Sequence, residues 1–220
     1  MAEAMLIGKV AKKKRVGVLA LQGDFQAHKR ALTRAGAEAV EVRSAEDLDS
    51  VQGLVIPGGE STTMMKLLDE EKLLDPLREF GRTRPVFGTC AGAILLAAYV
   101  GNPPQASVGN PLQASVVNSR QESLGLMDID VERNAYGRQL DSRIARLHLV
   151  TGSREGTDGD LEAVFIRAPI IRRVGEGAKV LASYQGDPVL VEQGRHLAAT
   201  FHPELTDDSR VHLMFLRKIP

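Results

Sequence analysis

The sequence predicts an α/β fold: three layers, with a doubly wound, mostly parallel sheet and an antiparallel hairpin extension. Three observations carry that prediction. Over the first half of the chain, short β-rich runs alternate with amphipathic helical runs, the pattern of parallel strands joined by helical crossovers. Small, glycine-rich turns follow the β-runs GLVI and PVFGT, where such a sheet keeps its ligand sites. Later β-runs are separated by QGDP and EQGR, turn signals that suit hairpins.

In order, the β-run VGVLAL (16–21) leads to the helical run FQAHKRALTRAG (25–36), then AVEVR (39–43) and GLVIPGG (53–59). A helical run is expected from Thr62 to about Phe80, and PVFGT (85–89) then leads into the helical AGAILLAA (91–98). Beyond Leu126 the β-runs DIDVERN, LEAVFIRAP and KVLASYQGDPVLVEQGRHLAATFHP are expected to extend the sheet as antiparallel hairpins. The last run, DDSRVHLMFLRKI (207–219), opens on aspartates suited to a helix N-terminus and closes on basic residues suited to its C-terminus.

Two segments stand outside this plan. Residues 1–15 form a basic extension, MAEAMLIGKVAKKKR, expected to be solvated or disordered; isolated short basic runs carry little specificity. Residues 100–123 divide into the octets VGNPPQAS, VGNPLQAS and VVNSRQES, a period too short and too rich in Pro, Gly, Asn and Ser for a solenoid. They read as a duplicated surface loop inserted in a single domain spanning residues 16–220.

Composition bounds the function. At 220 residues the chain buries an adequate core without disulfide or structural metal. Its 28 basic and 28 acidic residues balance, so no global field argues for nucleic acid or an anionic membrane as partner. With one cysteine, no secretory segment and no run of about 18 apolar residues, the expectation is a soluble, cytoplasmic protein.

That cysteine, Cys90, sits on the turn between a β-run and a helical run, flanked by Gly88, Ala91 and Gly92. A sharp strand-to-helix turn pushes its residue into the site and tolerates only small neighbours. The helix N-terminus favours thiolate, and the Ala91 N–H points where an oxyanion would form. A buried structural cysteine is the competing reading, and the turn alone makes the two about equal. A thiol nucleophile needs a base, and five histidines compete. His28, His148, His196 and His212 read as surface or core residues. His202 follows the β-run HLAATF and precedes Pro203 and Glu204, so in an extended segment Glu204 would project to the same side and steady the imidazole. A second oxyanion donor is available from Gly58 and Gly59 in PGGEST.

With GTCAG, HPE and PGGEST all at strand ends, the chain resembles the class I, or triad, glutamine amidotransferases, which implies a flavodoxin-like sheet. More narrowly, LQGDF (21–25), PGGESTT (57–63), FGTCAGAILLA (87–97), RNAYGRQ (133–139), FIRAP (165–169) and FHPELTDD (201–208) resemble the glutaminase subunits of pyridoxal 5'-phosphate synthases. The resemblance implies hydrolysis of L-glutamine to glutamate and ammonia, with ammonia passed to a separate barrel-shaped synthase subunit in a hetero-oligomer. It implies no cofactor and no metal, pyridoxal phosphate being the product of the complex. By motif position Cys90 is the nucleophile, His202 the base and acid, and Glu204 its orienter. Ala91 and Gly59 furnish the oxyanion hole, and Gly58, Gly59, Glu60, Arg133, Ile166 and Arg167 contact glutamine. The competing readings are a glutaminase serving another synthase, such as that of imidazole glycerol phosphate, a Cys-elbow hydrolase on a similar sheet, and a non-catalytic subunit on the same fold.

Overall fold

A computed structural model describes residues 13–101, 121–133, 142–150 and 159–220. The octets between residues 102 and 120, residues 1–12 of the extension and all of RNAYGRQ beyond Arg133 lie outside the described residues.

The chain runs β1 (Arg15–Leu19), α1 (Phe25–Arg34), β2 (Glu38–Val42), α2 (Ala45–Asp49), β3 (Gly53–Ile56), α3 (Ser61–Glu70), α4 (Leu74–Thr83), β4 (Val86–Thr89) and α5 (Ala91–Leu96). It continues through β5 (Ala97–Gly101), β6 (Met127–Glu132), β7 (Ser142–Leu149), β8 (Gly159–Ile166) and β9 (Ile170–Val174). β10 (Ala178–Tyr184), β11 (Asp187–Gln193), β12 (His196–Ala199), a 3-10 turn (Pro203–Leu205) and α6 (Arg210–Arg217) complete it.

Seven strands form the central sheet in the order β10-β11-β12-β4-β3-β1-β2. The five from β12 to β2 are parallel, while β10 and β11 add antiparallel pairs at one side. This is the doubly wound sheet with a hairpin extension that the sequence predicts. Strand side chains alternate between its two faces. Leu54 and Ile56 enter one cluster with Met64, Leu68, Leu77 and Leu95 from α3, α4 and α5. Val55 enters the other, with Val16, Val18, Leu32 of α1, and Val211 and Phe215 of α6. Fully burying one side chain such as Phe87 stabilises the fold by about 1.5–3 kcal/mol.

Several elements depart from expectation. The helical run from Thr62 to Phe80 is two helices, broken at Lys72, which adopts a left-handed φ of 55°. There Leu73 N–H donates to Leu68 O and Lys72 N–H to Asp69 O, the Schellman arrangement that glycine usually closes. AGAILLAA is helical only as far as Leu96, where β5 begins. DIDVERN and LEAVFIRAP do not extend the main sheet: β6 joins β5 and β9 in a three-stranded sheet, and β8 pairs with β7 in a two-stranded one. These small sheets pack over opposite faces, Ile129 and Val131 in the first cluster and Leu161 and Phe165 in the second. The short helix α2 was not expected.

At the N-terminal boundary, Arg15 already pairs with Glu38 in the sheet, and the Lys14 ammonium donates to Leu216 O at 2.9 Å and to Ile219 O, at the C-terminal end of α6. Among the described residues no helix is long and apolar enough to cross a membrane.

Candidate active site

Parallel strands end on one edge, so Leu19, Ile56, Thr89 and Ala199 hand the chain to four neighbouring loops at the same end of the sheet. Ligand sites of open α/β sheets form at that edge. Cys90 lies on the second of the two central loops, between β4 and α5, with φ 49° and ψ −106°. A non-glycine residue there is strained by about 1–3 kcal/mol and persists only where its surroundings fix it. They do: Cys90 N–H donates to Ala199 O at 2.8 Å, and α5 approaches β3 so closely that a Cβ on Gly92 would stand 2.0 Å from Ile56 O. The small residues around Cys90 are therefore a packing requirement of the turn.

His202 arrives from β12 on the adjacent strand. Its N–H donates to Val164 O of β8 at 2.8 Å, fixing the backbone, and its Nδ1 lies 2.7 Å from Glu204 Oε1. The sequence argument for this pair assumed an extended segment. Residues 203–205 instead form a 3-10 turn with Pro203 at its start, and the turn swings the Glu204 carboxylate back under the ring. Glu204 is 5% exposed, so its charge is retained only by its partners. Burial raises its pKa, but His28 and His202 outweigh that and hold it below the ordinary carboxylate value.

Burial likewise opposes the charged form of His202, yet hydrogen bonds and charge interactions with Cys90 and Glu204 push its pKa up to about 10. The ring is an imidazolium at neutral pH, a proton donor poised between sulfur and carboxylate. Cys90 Sγ also lies 3.9 Å from Ile166 O, and both residues line a cavity of about 250 Å³. That volume lies just below the usual range of ligand pockets, about 300–1,000 Å³, so the site takes a small ligand.

The cavity is lined by Gly59, Glu60, Ala91, Ile166 and Arg167 together with Arg133, Cys90 and His202. The candidates from the sequence thus converge, with two standing behind the wall. Glu204 lies behind His202. Gly58 lies between the nucleophile and the base: a Cβ there would be 2.5 Å from His202 Cε1 and 3.3 Å from Cys90 Cβ. The Glu60 carboxylate accepts from Thr62 N–H at 3.0 Å and Thr63 N–H at 2.7 Å as the N-cap of α3. Arg133 reaches Thr62 Oγ1 at 2.7 Å, tying β6 to the same helix end, and Arg167 takes a left-handed φ of 45° beside Ile166.

The remaining histidines divide. His148 is exposed, with Asp160 Oδ1 at 3.3 Å across β7 and β8. His196 accepts from Val86 N–H at 3.3 Å, and burial drives its pKa down to about 4. His28 was set aside as a core or surface residue; it is fully buried, with Nε2 3.2 Å from Glu204 Oε2. Nothing near His28 in sequence could signal this, since its partner is brought in by the end of the fold. Among the described residues no group of three or more His, Cys, Asp or Glu side chains is placed to hold a metal ion.

A family model described as the SNO glutamine amidotransferase family matches residues 18–220. A protein of Solibacter usitatus named pyridoxal 5'-phosphate synthase subunit PdxT is 61% identical over 207 residues, covering 94% of this chain and all of that protein. The protein of the same name from Koribacter versatilis is 50% identical, covering 93% of this chain and 95% of its own. A crystal structure titled glutamine amidotransferase superposes with a TM-score of 0.76 at 48% identity, covering 92% of this chain and 97% of that one. PurLQS from Thermotoga maritima, at 16% identity and a TM-score of 0.64, shares the fold.

Proposed function

The chain belongs to the SNO glutamine amidotransferase family, and from that premise we propose how its residues carry out the family's reaction. It is a glutaminase, hydrolysing L-glutamine to L-glutamate and ammonia as a subunit of a pyridoxal 5'-phosphate synthase. The observation that carries the residue assignment is the convergence of Cys90 and His202 on one small cavity, with Glu204 behind His202 at an Nδ1 to Oε1 distance of 2.7 Å.

Glutamine enters with its carboxamide toward Cys90, and its α-carboxylate meets Arg133 and Arg167, guanidinium groups matched to a carboxylate in geometry and charge. The Cys90 thiolate attacks the amide carbon, forming a C–S bond and placing the carbonyl electron pair on oxygen. Backbone N–H groups of Ala91 and Gly59 receive that oxyanion. His202, already an imidazolium, donates its Nε2 proton to the amide nitrogen as the C–N bond breaks and ammonia departs. The neutral imidazole then takes a proton from water, whose oxygen attacks the glutamyl thioester. The C–S bond then breaks, glutamate leaves and loses its carboxyl proton to solvent, and the Cys90 thiolate and His202 imidazolium are restored. Throughout, Glu204 fixes the Nδ1–H tautomer and stabilises the ring's positive charge.

Ammonia is delivered to a barrel-shaped synthase subunit in a hetero-oligomer, without cofactor or metal on this chain, and the complex works in the cytoplasm. A glutaminase serving a different acceptor, such as imidazole glycerol phosphate, predicts stable co-purification with a different synthase. Residues 16–220 act as one glutaminase domain.

Labelling tests the nucleophile. A glutamine analogue carrying an electrophile in place of the carboxamide should add one adduct at Cys90, detected by peptide mass spectrometry, and excess glutamine should slow it. Labelling no faster than that of a free thiol, or unaffected by glutamine, would leave only a non-catalytic subunit.

A further inference from the structure

Behind the triad lie polar side chains that the reaction above does not use. His28 on α1, His212 on α6 and Thr89 at the end of β4 are all fully buried. His28 Nδ1 lies 3.2 Å from His212 Nε2, and His28 Nε2 lies 3.0 Å from Thr89 Oγ1 and 3.2 Å from Glu204 Oε2. The Phe87 ring meets both imidazoles nearly edge-on, at 87° to His28 and 82° to His212, and holds their planes. The outer carboxylate oxygen of Glu204 is buried without an aligned hydrogen-bond donor, and the nitrogen facing it is that of His28.

The tautomers follow from this placement, assigned through the hydrogen-bond network. Were His28 protonated on Nδ1, its Nε2 lone pair would face a buried carboxylate oxygen, a costly arrangement. Protonated on Nε2, it presents N–H to that oxygen and to Thr89, and Nδ1 accepts from His212 Nε2–H. His212 Nδ1 is then an acceptor without a partner, and it is indeed unpaired in the structure. Complete burial, despite the nearby carboxylate, lowers the pKa of His28, so the ring acts on Glu204 as a neutral N–H dipole.

We propose that His28 is a positioning residue for the glutaminase reaction: its Nε2–H, oriented by His212 and Phe87, fixes the outer oxygen of Glu204 so that the inner oxygen stays on His202. This rests on the function proposed above and adds a link that neither the Cys-His-Glu spacing nor the cavity lining contains. The ionisable groups around Glu204 are His28 from α1 and His202 from its own loop. His212 from α6 and Asp24 at the start of α1 face His28, Arg34 acts on His212, and Cys90 acts on His202. Without the His28 dipole, the remaining partners hold the Glu204 proton off less well, so the carboxylate becomes neutral at higher pH.

The test uses the full chain assembled with its synthase subunit, comparing His28→Leu, which fills the space without a donor, with His28→Gln, whose amide N–H can reach the same oxygen. Loss of the N–H dipole that faces a buried charged oxygen predicts a fall in kcat of roughly 10- to 100-fold for His28→Leu, with KM for glutamine nearly unchanged. Its acid limb should move to higher pH, and His28→Gln should regain most of kcat and the original limb. Unchanged kcat in His28→Leu, or a loss with unmoved pH limbs and no recovery in His28→Gln, would overturn the proposal.

Nitrogen-15 chemical shifts of the histidines in the unmodified protein supply a readout independent of activity and of either variant's folding. A neutral Nε2–H tautomer is expected for His28, and an Nδ1–H tautomer or an imidazolium would overturn the proposal. Persistent glutamate release by Cys90→Ala would instead refute the underlying reading, leaving the tautomer result untouched.

Discussion

Gly58→Ala tests whether the cavity end is built around the contact between nucleophile and base. The added methyl would stand 2.5 Å from His202 Cε1, 3.3 Å from His202 Nδ1 and 3.3 Å from Cys90 Cβ. Carbon atoms rest at about 3.5–4.0 Å, so the ring must retreat by about 1 Å. His202 has little freedom to do so, its backbone being bonded to Val164 and its Nδ1 to Glu204. A displacement of that size at reacting groups costs on the order of 10²-fold in rate. The crowding also costs about 1–3 kcal/mol of stability, which lowers Tm by a few degrees per kcal/mol in a chain of this size. The assay is glutamate release by the assembled complex, with thermal denaturation of the same preparation. A folded Gly58→Ala protein with kcat within two- or threefold of the parent, on the order of what uncoupled surface changes produce, would refute the argument.

Other expectations follow from the same geometry. Glu204→Gln keeps the shape but not the charge and should lower kcat by about 10²-fold or more, measured in the assembled complex. His202 should remain protonated through neutral pH and titrate near 10 by NMR, and in Cys90→Ala its pKa should fall. Because that pKa is raised above its ordinary value of 6.5, the associated stability is fully present below about pH 6.5 and lost as pH rises through 10, visible as a falling Tm that Cys90→Ala attenuates. Arg167→Ala should raise KM for glutamine by roughly tenfold or more with a smaller change in kcat, as expected for a lost charge-assisted contact.

Much of the site was legible because strand ends carry their own punctuation. Gly88 and Gly92 around Cys90, the glycine pair after Ile56, and Pro203 after His202 each mark a loop at the same sheet edge, and parallel pairing does the rest. The break between α3 and α4 was hidden because Lys72 takes the left-handed position where a glycine would have announced it. The end of α5 was equally silent: Ala97 and Ala98 suit a helix, and only pairing with β6 draws them into a strand. DIDVERN and LEAVFIRAP have the alternation of strands, but alternation does not say which sheet receives them. His28 was illegible for the same reason, since an imidazole on an amphipathic helix looks alike whether it faces an apolar core or a carboxylate delivered by a distant turn.

The most direct test of the central claim is glutamate release from L-glutamine, measured with and without added pyridoxal 5'-phosphate synthase subunit, with Cys90→Ala as the blank. Release that requires both Cys90 and the synthase subunit is the predicted result. Release that persists in Cys90→Ala, or no release in the presence of the synthase subunit, would contradict it.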